Sequence, residues 1–549
     1  MQKKDNMKSY RSIYSVVDHI REKGLVFYGA GATGKVAFRI FSLFQVRPTY
    51  VCDDNLKKQG TVFECDGFSA PILSLEEAAT RLPNAVYIIA SHSHNQNGPW
   101  EKMKARLVNL NVFSEDSQLY PLRYAFLLEG GFEGLQHAES PGNSSFTPER
   151  IDNIVIFSSA GRSGNIFFDT LMDGHPNILN IGMFGVAALE KHYKEQLHNL
   201  EGNELVVEMG RHMQLYFSSS LYPRCLLSYL NADGEVEEKT LISPQRFIAS
   251  LKGILAGRGR VSFAVLCKAV FAAYGNVIGK QYVPGQEYWI FFETHKSDCN
   301  TTELDGLITY ENFRKIEHLV IVREPVQQWF SSIQQCYRLV ILEQKLIPWW
   351  ITQCNNFFGS LGTGLEQDLI APNKRIKVIR FEDAKKKTRA TMQAVCNWIE
   401  IEFDECLLQT TINGIEVYFP GAVTDQKKTI SGQDTTAVDR HDFSKFFSSY
   451  DIFRLNLLFQ NVQKAYGYPC DVPDYHSFSK EFLQELYRAP FRCESWLDHQ
   501  YAEAQKNGYA KQGDQPFSDF IREIIQDYLE KDQHNLITDV ICPSEEETL

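Results

Sequence analysis

The sequence predicts an α/β protein with two parallel-sheet domains and a helical carboxyl-terminal extension. Two segments indicate this fold class, because in each an apolar run suited to a buried strand leads through a small-residue turn into a helical pattern, at residues 24–44 and 154–172. A third apolar run, at 318–322, precedes a helical pattern that starts at Pro325. At 549 residues the chain is too long for one ordinary core, so we expect two or three domains.

The first segment carries a Gly-x-Gly-x-x-Gly turn between a strand pattern at 24–28 and a helical pattern that begins near residue 35. This turn, with an acidic residue about twenty positions later, is the arrangement that binds dinucleotides or nucleotide sugars. The candidate ligand-binding residues are therefore Gly29, Gly31, Gly34 and Asp53. The segment resembles the small Rossmann-like domains that accompany enzymes acting on sugars and surface polysaccharides. A purely structural or docking role for it is equally open.

The second segment places a turn at residues 158–164 before a helix predicted over 166–172. Backbone N–H groups at such a turn lack intrahelical partners, so they and the helix dipole favour an anion there. Arg162 adds a positive charge and Ser163 a hydroxyl, while Gly161 and Gly164 let a ligand approach the backbone. The turn lacks the Gly-Lys-Ser/Thr ending of a Walker A loop, which counts against an ordinary ATPase or GTPase. Taken alone, it is also compatible with a loop that binds nothing.

The third segment adds a second positive charge. Arg323 follows the strand predicted at 318–322, and Ser331 stands eight residues later on the helix predicted over 325–342. Ligand sites in parallel sheets lie at the carboxyl ends of strands, so we expect Arg323 to reach the same crevice as Arg162. The alternative is an arginine at a strand end and a serine on a solvated helix face.

These two segments together resemble the donor site of sulfotransferases. Arg323 and Ser331 match, in kind and spacing, the element with which that family holds the 3′-phosphate of 3′-phosphoadenosine 5′-phosphosulfate (PAPS). The sequence Arg162-Ser163-Gly164 resembles its 5′-phosphosulfate loop. The resemblance implies a P-loop-like α/β domain that uses PAPS as co-substrate.

Further matches follow in the order expected for this family. Residues 288–295 resemble the strand that ends in Lys-Thr-His in cytosolic sulfotransferases, which implies that His295 is the catalytic base. Residues 378–383, 411–414 and 450–466 complete the series. The chain departs from the family at Asn165 and Ile166, where two hydroxyl residues are usual, and at Glu293, where cytosolic members carry lysine. We count Asn165 among the donor-binding candidates through its side-chain amide.

The leading functional hypothesis is a PAPS-dependent sulfotransferase. Sulfuryl transfer requires that nucleophile, sulfur and leaving oxygen be aligned and that developing charge be stabilised, a task that suits Arg162. A histidine with a pKa near neutrality suits the removal of the acceptor's proton, as the resemblance implies for His295. The acceptor is expected to be a hydroxyl or amine of a carbohydrate or glycoconjugate, from the domain association alone. Two alternatives stay open: an inactive nucleotide-binding or assembly protein, and a P-loop-like kinase.

The expected domain limits follow from these motifs and from composition. We expect a Rossmann-like nucleotide-binding domain at 1–135, a linker at 136–149, a sulfotransferase-like domain at 150–471 and a helical extension at 472–549. The linker region is rich in Ser, Pro, Gly and Asn. Amphipathic patterns at 478–487 and 517–529 predict helices in the extension.

Composition narrows the class of partner and compartment. The twelve cysteines are scattered without a Cys-x-x-Cys pair, and the polar first residues lack a signal peptide's apolar core, so the reduced cytoplasm is expected. No apolar run approaches the length of a membrane span. A formal net charge of −12 argues against nucleic-acid binding and against a large polyanionic acceptor. No metal-ligand spacing is present, and oligomerisation stays open.

Overall fold

The computed structural model describes residues 13–91, 99–128, 146–159, 163–182, 184–213, 242–295, 307, 309, 311–337, 375–416, 418–420, 429–431, 443–444, 446–506 and 540–541. These residues form two compact units. The amino-terminal unit lies within the ranges 1–147, 191–226 and 238–279, and the carboxyl-terminal unit within 148–190 and 280–549.

Strands run through the described ranges in two main groups, one in each unit. The strands are β1 (Leu25–Tyr28), β2 (Tyr50–Cys52), β3 (Val62–Cys65), β4 (Phe68–Leu73), β5 (Val86–Ile89), β6 (Asn153–Ser159), β7 (Ile178–Asn180), β8 (Trp289–His295), β9 (Lys315–Val322), β10 (Arg375–Arg380), and the short pairs β11 (Thr411–Ile412) with β12 (Ile415–Glu416) and β13 (Tyr418–Pro420) with β14 (Thr429–Ser431).

Helices lie between many of these strands and also follow β14 within the described residues. They are α1 (Ile13–Lys23), α2 (Ala32–Leu43), α3 (Leu75–Arg81), α4 (Pro99–Asn109), α5 (Asn165–Leu171), α6 (Val186–Glu195), α7 (Gly202–Met213), α8 (Pro244–Leu255), α9 (Phe263–Val277), α10 (Pro325–Tyr337), α11 (Phe381–Lys386), α12 (Thr388–Ile399), α13 (Ser449–Leu458), α14 (Gln460–Ala465), α15 (Lys480–Arg488) and α16 (Arg492–Lys506). In the described ranges no helix is both long enough and apolar enough to cross a bilayer.

Two five-stranded sheets confirm the predicted α/β class. The sheet of the amino-terminal unit has the order β3-β4-β2-β1-β5, and β3 alone runs antiparallel to its neighbour. The sheet of the carboxyl-terminal unit has the order β10-β9-β6-β8-β7 and is parallel throughout. Strands β1, β5 and β6 are buried at every residue, as expected for continuous apolar runs in parallel sheets.

Local sequence signals set several helix starts. Ser74 and Glu77 form a reciprocal capping box at α3, and Ser448 and Asp451 form another at α13. Helix α2 begins at Ala32, earlier than the helix predicted from residue 35, because its first turn includes the last residues of the glycine turn. The pattern at 450–466 is divided between α13 and α14, and residues 338–342 of the helix predicted after residue 325 lie outside the described residues.

The amino-terminal unit combines the first 147 residues with later segments of the chain. Glu208 of α7 is 1% exposed, and its carboxylate accepts hydrogen bonds from Tyr124 Oη at 2.8 Å and from the Ile13 N–H at 3.3 Å. Asn276 of α9 exchanges hydrogen bonds with the backbone of Phe146 at 3.0 and 3.2 Å. Helices α7, α8 and α9 therefore complete the unit that the β1–β5 sheet begins.

The carboxyl-terminal unit has hydrophobic cores on its sheet and among its helices. One cluster joins β6, β8 and β9 to α5 and α12. In a second cluster, Leu483 and Tyr487 of α15 pack with Trp329 and Phe330 of α10. Helices α15 and α16 occupy part of the predicted extension. The linker is described only from residue 146, and the helix at 517–529 lies outside the described residues, so the predicted domain limits stay predictions.

Candidate functional site

The strands that lead into the predicted site segments are neighbours, with their carboxyl ends side by side in the carboxyl-terminal sheet. Strand β6 lies between β8 and β9, and Ser159 at its carboxyl end stands opposite both His295 and Ile321. After β6 the chain continues to β7 on the side of β8, whereas after β9 it continues to β10 on the other side. Ligand crevices of parallel sheets form where two neighbouring strands connect onward to opposite sides of the sheet, as β6 and β9 do here. Arg323 therefore follows a strand that borders this crevice.

The turn after β6 requires glycine at its last position. Gly164 has φ of +94°, in the left-handed region, and directly precedes α5. Ser163 is fully buried, and Asn165, the first residue of the helix, is 7% exposed. Gly161 and Arg162 lie outside the described residues, so their proposed contacts with a donor stay predictions.

A buried hydrogen bond joins this turn to the helix that follows Arg323. Gln328 Nε2 donates to Ser163 Oγ at 3.0 Å, although 165 positions separate the two residues in sequence. Gln328 lies on α10, three positions before Ser331. Ser331 is 8% exposed, so it does not lie on a solvated helix face. The bond fixes the turn relative to the helix that carries Ser331.

An aromatic ring lies between the two predicted halves of the site. Phe381, the first residue of α11, is 5% exposed, and its ring centroid is 4.9 Å from Arg323 Cζ. The same ring packs against Gly164 so closely that a Cβ added there would lie 2.5 Å from Phe381 Cε2. The ring therefore contacts both the turn after β6 and the buried Arg323.

The residue after Arg323 carries a carboxylate that caps the next helix. Glu324 accepts hydrogen bonds from the Val326 N–H at 3.2 Å and from the Gln327 N–H at 2.7 Å, so it caps α10 ahead of Pro325. Gln463 Nε2 also donates to it at 2.8 Å. Burial raises the pKa of Glu324, and these hydrogen bonds oppose the rise.

A second carboxylate ties this cap to the end of β10. Glu382 Oε1 accepts from the Glu324 N–H at 3.0 Å, and its Oε2 accepts from Tyr468 Oη at 2.8 Å. Burial, followed by the nearby Glu382, raises the pKa of Tyr468 well above its ordinary value, so the phenol stays protonated and donates. Glu382 thus connects the segment after β9 with the segment after β10.

A second buried cation stands beside the aromatic ring. Phe167 of α5 meets Phe381 edge to face, with centroids 6.0 Å apart. Lys385 of α11 is 8% exposed and places Nζ 3.8 Å from the centroid of Phe167. Each of the two packed rings therefore contacts one buried cation, Lys385 on Phe167 and Arg323 on Phe381.

The predicted base has its backbone at the expected edge. His295 ends β8 and pairs in register with Ser159. Its side chain lies outside the described part of the chain, so its role stays a prediction. The described residues contain no group of three or more side chains suited to a metal ion.

In the amino-terminal unit, the three glycines of the turn after β1 differ in their surroundings. Gly29 has φ of +122°, and a Cβ there would lie 2.6 Å from the Ala90 carbonyl oxygen. Gly34 packs directly against the Gly29 carbonyl oxygen. A Cβ at Gly31 would meet nothing within 4 Å, so the turn is open at this position. Such a turn suits close approach of a ligand at its second glycine.

Asp53 is engaged within the protein. Its Oδ2 accepts from the Ala30 N–H at 2.8 Å and from Lys58 Nζ at 2.9 Å, and its Oδ1 accepts from the Asn55 N–H at 2.9 Å. Burial would raise the pKa of Asp53, but these donors hold it below its ordinary value. The carboxylate therefore stays charged and holds the glycine turn against the end of β2.

Comparisons with known proteins give only distant likeness. No protein-family model matches the chain, and the search of curated proteins finds no match. The chain is similar to the sulfotransferase domain from the curacin biosynthetic pathway, at 15% identity over 59% of this chain and 100% of that domain, with a TM-score of 0.32.

Two other solved structures show a similar degree of likeness. The sulfotransferase domain from the Synechococcus PCC 7002 olefin synthase is 15% identical over 54% of this chain and 88% of that one, with a TM-score of 0.28. Sulfotransferase STF9 from Mycobacterium avium is 8% identical over 72% of this chain and 97% of that one, with a TM-score of 0.25. At these scores the likeness carries no argument about function, which must come from the site itself.

Proposed function

We propose that the carboxyl-terminal unit is a sulfotransferase that moves a sulfuryl group from PAPS to a hydroxyl or amine. The observation that carries the proposal is the junction of two distant segments at one sheet edge. The bond between Ser163 and Gln328 and the contacts of Phe381 with Gly164 and Arg323 join them. This junction supports a ligand with an anionic group at each end.

Each proposed donor contact has a physical basis. Arg323 and Ser331 hold the 3′-phosphate. A guanidinium offers a planar fork of donors to phosphate oxygens, Ser331 follows eight positions later on α10, and both residues are buried. Gly161, Arg162, Ser163, Gly164 and Asn165 hold the 5′-phosphosulfate, and Arg162 stabilises charge that develops on its oxygens.

The proposed reaction is a direct displacement at sulfur. The acceptor oxygen or nitrogen attacks the sulfur atom, the bond between sulfur and the bridging phosphate oxygen breaks, and 3′,5′-ADP leaves with that oxygen. His295 accepts the acceptor's proton. We propose a carbohydrate or glycoconjugate acceptor, and the formal net charge of −12 favours one that is not a polyanion.

We further propose that the amino-terminal unit binds a nucleotide or nucleotide sugar at Gly29, Gly31 and Gly34. The open space at Gly31 supports this proposal. Because Asp53 already holds the turn, its contribution to binding is to fix the backbone of that turn.

Calorimetry with 3′,5′-ADP and with ATP plus Mg²⁺ tests the donor. We expect clear preference for 3′,5′-ADP, and a loss of about 10- to 100-fold in affinity for Arg323→Ala, since a charged hydrogen-bond partner is removed. Arg375→Ala is the matched control, because Arg375 lies at the amino end of β10 and is 54% exposed. Equal affinity for the two nucleotides, or native affinity in Arg323→Ala, would refute the proposal. Preference for ATP with Mg²⁺ would indicate the kinase alternative.

Transfer of radiolabelled sulfate from PAPS tests the base. His295→Ala is expected to lower the transfer rate about 100-fold or more while keeping native affinity for 3′,5′-ADP, since general-base catalysis contributes on that order. A variant as fast as the native protein would show that another group takes the proton. Absence of transfer by the native protein to any acceptor tried, together with tight 3′,5′-ADP binding, would favour the inactive nucleotide-binding alternative.

A further inference from the structure

We infer that Phe381 is a positioning residue that holds the Arg323 guanidinium in the direction that receives the 3′-phosphate of the donor, by filling the space between Arg323 and the Gly164 turn. This inference rests on the proposed function and adds a residue to it. It starts from the observation that one buried ring contacts both segments.

The side chains of the residues on either side of Phe381 make polar contacts. Arg380 Nε pairs with Asp383 Oδ2 at 2.6 Å, and Arg380 Nη1 donates to the Gly467 carbonyl at 3.2 Å. Glu382 is held by the Glu324 N–H and by Tyr468. Because these neighbours are anchored, the ring of Phe381 has a defined place at the junction of β10 and α11.

The ring stabilises Arg323 without adding negative charge. A cation over an aromatic face is attracted by the ring quadrupole, and the attraction is stronger where water is excluded. Phe381 is 5% exposed and Arg323 8% exposed. A carboxylate in the same place would also fix the guanidinium, but it would compete with an incoming phosphate. The ring holds the guanidinium without placing a counter-charge beside it.

The same ring fills the space between the turn and Arg323. Gly164 has φ of +94° and lies against the ring of Phe381, and Phe167 packs on that ring edge to face. A smaller side chain at 381 would leave space between the turn and Arg323. The arginine would then lose its defined direction, while the bond from Gln328 would still hold Ser163.

The consequence is specific to ligands that use Arg323. 3′,5′-ADP carries the 3′-phosphate and 5′-AMP does not, so the ratio of their affinities measures what Arg323 contributes. Phe381→Leu is expected to lower the affinity for 3′,5′-ADP about 10-fold and to leave that for 5′-AMP within about twofold. Phe381→Tyr keeps the ring and is expected to keep the native ratio.

The experiment is calorimetry of both nucleotides with the full chain. Phe168→Leu is the matched control, because Phe168 is a fully buried phenylalanine of the same core that stacks on Phe157, with centroids 4.9 Å apart. It is expected to keep the native affinity ratio. If Phe381→Leu does not fold, Phe381→Met serves in its place, since it conserves more of the volume but has no ring.

The outcomes separate the inference from the proposed function. If the native chain binds 3′,5′-ADP no better than 5′-AMP, the proposed function fails, and the inference with it. If the native chain shows the preference but Phe381→Leu or Phe381→Met keeps the native ratio, the inference alone is overturned. Equal losses for both nucleotides would also overturn it, because they would indicate general packing. A reduced ratio that Phe381→Tyr restores supports it.

Discussion

Gly164→Ala is expected to destabilise the carboxyl-terminal unit by two independent effects. The first is backbone strain, since φ of +94° at Gly164 is a conformation that residues with a Cβ rarely adopt. The second is overlap, because the new Cβ would lie within 2.5 Å of Phe381 Cε2 and closer still to Cδ2. The ring cannot swing aside freely, because it is 5% exposed and packs against Phe167.

The two contributions can be given separate magnitudes. A left-handed backbone costs a residue with a Cβ roughly 1–2 kcal/mol. An added methyl group that forces a shift in a packed core costs roughly 1–3 kcal/mol. The free energy of unfolding should therefore fall by roughly 2–5 kcal/mol.

Urea unfolding of the full chain measures this change. Two further variants separate the contribution of strain from that of overlap. Gly285→Ala is the control for strain, because Gly285 has φ of +89° and no atom lies within 4 Å of a Cβ placed there. Adding Gly164→Ala to a Phe381→Ala background removes the overlap, so there it should cost only about 1–2 kcal/mol. An equal cost of Gly164→Ala in the native and Phe381→Ala backgrounds would refute the contact between ring and turn.

Three further predictions concern stability and the amino-terminal turn. Burial raises the pKa of Glu317 to about 7, although the nearby Arg375 opposes the rise. The folded protein therefore binds the proton of the Glu317 carboxyl more tightly than the unfolded chain does. The stability gained this way is lost as pH rises through 7. Glu317→Gln should therefore reduce the fall in unfolding free energy between pH 5 and pH 8 by roughly 1–3 kcal/mol, measured by urea unfolding at both pH values. The same fall in the native protein and in Glu317→Gln would contradict this. Ser448→Ala removes the N-cap of α13 and should lower the free energy of unfolding by about 1 kcal/mol in urea unfolding. An unchanged free energy would show that the cap does not stabilise the helix. Asp53→Ala should speed amide hydrogen exchange at Ala30 about tenfold by mass spectrometry, and native protection there would contradict the observed bond.

The sequence allowed the strands around the site to be predicted because their signals are local. The apolar run at 154–157 lies within β6, and that at 318–322 lies within β9. Both strands are buried and parallel, which makes such runs nearly continuous. The rule that places ligand sites at strand ends predicted that Arg323 reaches the same crevice as Arg162, but it did not predict that β9 pairs directly with β6.

The contacts that join the site could not be predicted in the same way. Nothing near Gln328 in sequence indicates that it donates to Ser163, because the bond spans 165 positions. Phe381 was noticed as part of a strand-end motif, but its contact with Gly164 depends on how α11 packs. The cap at Glu324 had a local signal, an acceptor before proline at a helix start, that sequence reasoning overlooked.

The amino-terminal unit shows a similar limit. The glycine turn and Asp53 were found from spacing, but spacing alone does not tell whether a carboxylate faces a ligand or the chain's own Ala30 N–H. Helices α7, α8 and α9 join this unit through contacts such as Glu208 with Tyr124, which are 84 positions apart. Composition offered no signal for such a distant return of the chain.

Because of that return, the segments of the two units alternate along the chain and do not follow each other as two continuous blocks. The chain leaves the amino-terminal unit after residue 147, and residues 191–226 and 238–279 belong to that unit again. A fragment that stops near residue 147 would lack the carboxylate of Glu208 that receives the Ile13 N–H and the Tyr124 hydroxyl. Neither unit can therefore be exchanged between proteins as a cassette by a single crossover, and gene fusions that treat the first 147 residues as a portable module should yield misfolded product.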